Sequence, residues 1–162
     1  MTVNEYNTTV DLYSDNLYRF ILKHIKDKDI ANDIVQDTYE KLWLKVNDTE
    51  STNAKSYMYT TAYRTLIDYT RRAKKQEGFD TDKHPEGFET GESNHDLKAI
   101  LNRALDTLPE IQKAVILLRD YEGYEYKEIA EITDLSESQV KVYIFRARQS
   151  LKNYIGTIEA VL

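Results

Sequence analysis

An all-α protein of two small helical domains joined by an acidic, flexible linker is what this sequence predicts, and three observations predict it. Apolar residues recur at helical spacing through most of the chain, and no strand-like alternation persists anywhere. The stretch Gln76–Asp96 changes composition abruptly, with Gly78, Gly87, Gly91 and Pro85 among seven acids and a single lysine. Near the end, Tyr126–Lys152 reads as a short helix, a tight turn and a longer basic helix. The expected domains are 1–76 and 97–162, with 77–96 as the linker.

The elements follow in order. Tyr6, Val10, Tyr13, Leu17, Phe20, Ile21 and His24 repeat at helical spacing, which predicts a first helix over about 4–26. Asp29 is placed to cap a second helix, about 30–45, whose inward stripe is Ile30, Ile34, Thr38 and Leu42. Asp33, Gln36, Asp37 and Glu40 lie around the rest of it. A solvated face is the plain reading of those acids, and a docking surface for a basic partner helix is the sharper one. Leu42-Trp43-Leu44 is an apolar cluster that either anchors an interface or closes a core.

After the polar loop 47–53 a third helix is expected over about 54–75, with Met58, Ala62 and Leu66 inward. It interleaves Tyr57, Tyr59, Tyr63 and Tyr69 with Lys55, Arg64, Arg71 and Arg72. Rings stack on exposed bases and cations neutralise phosphates, which is what single-stranded nucleic acid requires. Taken singly, each tyrosine reads as a half-buried packing residue, whereas the cluster beside a polar loop reads as a binding surface. A fourth helix over about 94–107 carries Leu97, Ile100, Leu101, Ala104, Leu105 and Leu108. Pro109 opens a fifth at its first turn, where a missing amide hydrogen costs nothing.

The last pair of helices carries the clearest chemistry. Ser136 is the expected N-cap of the second. Val140, Ile144, Ala147, Leu151 and Ile155 form its apolar stripe, and Lys141, Phe145, Arg146, Arg148 and Lys152 its other face. Between Ser138 and Lys152 there are four basic residues and no acid. This is the pattern of a helix-turn-helix, whose second helix enters the major groove of DNA. A plain pair of core helices with a solvated basic face has the same shape, and charge separates the two readings. The chain of 162 residues carries a net charge of −6, yet Lys55, Arg64, Arg71, Arg72, Lys74 and Lys75 stand against Asp68 alone between 53 and 76. Two basic islands in an acidic chain fit a DNA reader that a larger partner brings to DNA.

Four segments then carry a resemblance. Asp29–Trp43 (DIANDIVQDTYEKLW), Tyr57–Arg72 (YMYTTAYRTLIDYTRR), Leu105–Leu118 (LDTLPEIQKAVILL) and Glu122–Arg148 (EGYEYKEIAEITDLSESQVKVYIFRAR), in this order and over nearly the whole chain, resemble bacterial RNA polymerase sigma factors of the small, extracytoplasmic-function (ECF) group. The resemblance implies that 1–76 is sigma region 2, which binds the polymerase clamp and recognises and melts the minus-ten element. It implies that 97–162 is sigma region 4, which reads the minus-thirty-five element. By resemblance, Asp33, Gln36, Asp37, Glu40 and Trp43 bind core polymerase. Asn53, Lys55, Tyr59, Tyr63, Arg64, Arg71 and Arg72 bind the minus-ten strand. Ser138, Gln139, Lys141, Val142, Phe145, Arg146 and Arg148 bind the minus-thirty-five duplex, with Gln139 able to read adenine, a cation guanine and Phe145 a thymine methyl, and with Arg148 and Lys152 on phosphates. The acidic linker would occupy the polymerase's RNA path.

The expected partners are core RNA polymerase, promoter DNA and an anti-sigma factor whose identity the sequence does not give. No membrane insertion, cofactor, metal or enzymatic activity is expected, and the expected location is the cytoplasm. There is no cysteine for a thiolate site, and His24, His84 and His95 are scattered. The pair Asp33/Asp37 has no histidine or second pair beside it to suggest a hydrolase. Arg64 stands where the family often has asparagine. Ser136-Glu137-Ser138-Gln139 replaces the common proline-valine-glycine-threonine turn, and Val142 and Tyr143 replace serine and arginine. The alternative reading is a stand-alone helix-turn-helix regulator, which would bind duplex DNA tightly without polymerase.

Overall fold

The computed structural model describes residues 1–76 and 96–161, the side chains of 159–161 excepted. The acidic segment read from composition as a linker lies outside the described residues, Asp96 apart. The described residues form helices and turns, with no strand among them, and the chain divides into two compact units.

In the first unit, α1 (Val3–Ile25), α2 (Lys28–Leu44) and α3 (Ala54–Gln76) each pack against the other two. Thr2 and Glu5 start α1 as a reciprocal capping box: Glu5 N–H donates to Thr2 Oγ1 at 3.0 Å, and Thr2 N–H donates to Glu5 Oε1 at 2.9 Å. Lys26 closes the helix in the left-handed region, with φ 57°. The cap of α2 is Asp27 rather than Asp29. Its backbone is extended, and its carboxylate accepts from the amides of Asp29 and Ile30 at 3.0 and 3.2 Å. Asp29 instead sits in the first turn, where a negative charge favours the positive end of the helix dipole. The core gathers Leu17, Phe20, Ile21, Ile34, Leu42, Met58, Tyr59 and Leu66. Burying a side chain of this size contributes roughly 1.5–3 kcal/mol.

In the second unit, α4 (Leu97–Asp106), α5 (Glu110–Ile116) and α6 (Tyr126–Thr133) all pack on α7 (Glu137–Val161). Asp96 caps α4 through the amide of Lys98. Leu97, expected inward, is exposed: the helix begins three residues later than its periodicity suggested, and Leu97 falls at its first position, before the turn that meets the core. Pro109 is the N-cap of α5, one place before the first turn. Lys113 is buried and donates to Asp106 Oδ1 at 3.0 Å, so its charge is paired rather than stranded.

Beyond α5 the chain widens into a π turn, Leu117–Tyr121. The Glu122 amide reaches back five residues to the Leu117 carbonyl at 3.1 Å. Gly123 then takes φ +77°, which a side chain would strain. Asp134, at φ 58°, ends α6, and the Leu135 amide caps it on the Ala130 carbonyl at 3.1 Å. Val140, Ile144 and Ala147 carry α7 into the core on the predicted stripe, whose later members Leu151 and Ile155 are only half-buried.

Candidate nucleic-acid and partner interfaces

Three surfaces hold the residues singled out in the sequence. The first is a groove of about 530 Å³ on α2, lined by Tyr6, Asp33, Gln36, Asp37, Tyr39, Glu40 and Trp43. All five proposed polymerase contacts therefore share one depression. Asp33, Gln36 and Glu40 are exposed, and Asp37 is half-exposed with its carboxylate 3.0 Å from Lys41 one turn on. Trp43 leaves 45% of its surface in water, so it does not close the core. It stands edge-on to the Tyr6 ring at 5.1 Å, and the Tyr6 hydroxyl donates to the Tyr39 carbonyl at 3.0 Å. Burial pushes the Tyr6 and Tyr39 phenols above the usual tyrosine range. Tyr6 reads in the sequence only as part of the stripe of the first helix and Tyr39 carries no signal there, because only packing brings α1 against the far end of α2.

The second surface is α3 and the 3₁₀ turn before it (Ser51–Asn53). Here the structure corrects two expectations. Tyr59 is wholly buried and Tyr63 nearly so, both against Phe20, with ring centroids 5.5 and 6.4 Å apart. Neither presents a face on which a base could stack. They are core because they follow Met58 and Ala62 by one position, on the edge of the inward stripe that α1 covers. Lys55 is half-buried, with its ammonium 5.3 Å from the centre of the Tyr13 ring. Asn53, Arg64, Arg71 and Arg72 are exposed. Tyr57, half-exposed, shares their side of α3, since Tyr57, Arg64 and Arg71 recur every seven residues.

The third surface is the outer face of α7. Ser138, Val142, Phe145 and Gln149 form its central exposed row, opposite the buried stripe, with Lys141 on one flank and Arg146 on the other. Phe145 is 69% exposed. Gln149 was missed, although its position four residues past Phe145 could have found it. Two further expectations change. Gln139 is spent on the helix start: its Oε1 accepts from the Ser136 amide at 2.9 Å, and its own amide donates to Ser136 Oγ at 3.1 Å. This is a capping box built with glutamine, so the side chain lies along the first turn instead of pointing outward. Arg148 is also held within the fold, because its guanidinium donates to both carboxylate oxygens of Asp120. That bond raises its pKa above even the ordinary arginine value.

Residues 9–76 match the family described as Sigma-70 region 2, and residues 98–151 match Sigma-70, region 4. Over 146 residues the chain is 33% identical to RNA polymerase sigma factor SigV of Bacillus subtilis (strain 168), covering 90% of this chain and 87% of that one. It is 28% identical over 156 residues to the ECF RNA polymerase sigma factor SigM of the same organism, covering 94% of each. Among solved structures, sigma factor RpoE of Bartonella quintana, crystallised with the anti-sigma factor NepR, is similar with a TM-score of 0.76 and 25% identity over 95% of this chain and 98% of that one. CnrH, in complex with the cytosolic domain of CnrY, shares the fold with a TM-score of 0.68 at 20% identity, over 94% of this chain and 88% of that one.

Proposed function

The chain belongs to the RNA polymerase sigma factors of the ECF group, and from that premise we propose which of its surfaces does which part of the work. As a sigma factor it directs promoter-specific transcription initiation by RNA polymerase. In our reading, the unit up to residue 76 docks on core polymerase and holds the minus-ten element, and the unit from residue 97 reads the minus-thirty-five element. The polymerase supplies the chemistry, since sigma factors are generally not enzymes, and the chain works where the polymerase does, in the cytoplasm. Among the described residues no helix is long and apolar enough to cross a membrane.

The observation that supports docking through α2 is the single groove shared by Asp33, Gln36, Asp37, Glu40 and Trp43. Exposed acids around a half-exposed indole suit a basic helix: the carboxylates take its cations, and the ring offers apolar area and a cation–π face. For the minus-ten strand, Asn53, Arg64, Arg71 and Arg72 remain the exposed candidates, and Tyr57 is the ring on their side. Unstacking a base costs a few kcal/mol, and stacking it on a ring returns roughly 1–3 kcal/mol. For the duplex, the row Ser138, Val142, Phe145 and Gln149, flanked by Lys141 and Arg146, faces the groove. RpoE and CnrH were each solved with another protein, an anti-sigma factor in the case of RpoE. We infer an anti-sigma partner for this chain as well.

The test is binding of the purified chain to core RNA polymerase, with transcription from a promoter library scored in the same reaction. Tight binding with new sequence-specific transcripts is expected. Specific retention of duplex DNA by the chain alone, with no polymerase binding, would return it to the stand-alone regulators, a reading the two sigma-70 regions disfavour. Asp37→Lys puts a cation where a basic partner must approach and is expected to weaken docking roughly tenfold, about 1.4 kcal/mol. An unchanged affinity in a fluorescence titration against core polymerase would strike Asp37 from the surface.

A further inference from the structure

One cation on the flank of the DNA-facing helix is already engaged. Arg148 Nε donates to Asp120 Oδ2 at 3.2 Å and Nη2 donates to Oδ1 at 2.6 Å. This is the fork-to-fork geometry in which a guanidinium would otherwise take a phosphate. Asp120 comes from the π turn Leu117–Tyr121, 28 residues earlier in the chain. The five-residue reach of that turn sets the carboxylate beside the middle of α7. The side chains of Arg148 and Asp120 are 50% and 38% exposed, so the pair is open to a competing anion. The same patch is rich in positive charge. The Arg119 guanidinium lies 4.5 Å and the Lys141 ammonium 5.6 Å from the centre of the Tyr126 ring.

We propose that Asp120 occupies Arg148 in place of a DNA phosphate and thereby holds down the affinity of the free chain for DNA of any sequence. Phosphate contacts carry no sequence information and supply nearly all non-specific binding. A cation on α7 that is answered inside the fold adds little to that term, whereas an unanswered one adds a full contact. The overall charge of −6 acts in the same direction, across the whole surface. Asp120 acts at one side chain. The inference rests on the reading that α7 lies against duplex DNA.

The experiment measures binding of the full chain, without polymerase, to a scrambled-sequence duplex as a function of salt. It compares the parent chain, Asp120→Asn, Arg148→Gln, the double variant and Lys141→Ala. Asp120→Asn keeps the shape and removes the charge, and a half-exposed site leaves no buried charge behind. It is expected to tighten binding and to steepen the slope of log K against log salt by about 0.9, one phosphate contact. The affinity ratio between 50 and 200 mM salt then grows by about 3.5-fold. In the Arg148→Gln background this gain is expected to vanish. An equal gain in that background would overturn the proposal, since the lost charge would then act through the general field. An unchanged slope for Asp120→Asn would also overturn it, provided that Lys141→Ala flattens the slope and so places α7 on DNA. If Lys141→Ala changes nothing either, the DNA-facing role of α7 fails with it.

Discussion

Tyr59→Ala is expected to unfold the first helical unit rather than to impair DNA opening selectively. The ring has no exposed surface and packs against Phe20 at 5.5 Å, with Met58 and Leu66 buried beside it. Truncating a buried aromatic to alanine costs about 3–5 kcal/mol, because the cavity refills only in part. At roughly 4 °C or more per kcal/mol for a unit of this size, the melting transition should fall by about 12 °C or more. Tyr59→Phe keeps the ring and should retain most of that stability. Thermal melts followed by circular dichroism distinguish the alternatives. If Tyr59→Ala melts like the parent chain while losing promoter opening, Tyr59 is a stacking platform after all and the packing argument is wrong.

The second large effect is expected at Phe145. Its ring is mostly in water on the central row of α7, so Phe145→Ala removes little core contact and should change stability by no more than about 0.5 kcal/mol. On the proposed reading, the same change removes an apolar contact to base edges at the promoter. Losing the recognition of one base pair typically costs about 1–3 kcal/mol, so transcription that depends on the minus-thirty-five element should fall about 5- to 150-fold. Core polymerase binding should be untouched, because the groove on α2 belongs to the other unit. Transcription and polymerase affinity measured on one preparation decide the matter. A matched loss of both would mean that α7 does not act as a separate reading surface.

What was legible in the sequence was whatever repeats along one element. The stripes of α7 and α2 follow from helical spacing alone: Val140, Ile144 and Ala147 and Ile34, Thr38 and Leu42 fell in the core, while Leu151, Ile155 and Ile30, toward the helix ends, are only half-buried. The acids of α2 were legible for the same reason, as the other side of a periodic pattern. What escaped depends on partners distant in sequence or on residues with two uses. A tyrosine serves equally as a core ring and as a stacking face, and only the position of Phe20 on α1 decides for Tyr59 and Tyr63. The glutamine amide at 139 can read a base or close a helix, and the Ser136 amide claims it. Nothing near Arg148 in the chain announces Asp120. The cap of α2 was misplaced because two aspartates, Asp27 and Asp29, flank the true start and the sequence does not say which has extended backbone.

On the proposed reading of α7 as the duplex-facing helix, the length of its outward row limits how much DNA it can inspect. The helix starts at Glu137, so the outward row begins at Ser138, and it runs to Gln149. At about 1.5 Å per residue, that row is roughly 16 Å long. Base pairs are stacked about 3.4 Å apart, so the row can span roughly five steps of the duplex. On the proposed reading, the footprint of this unit is therefore a short block of sequence.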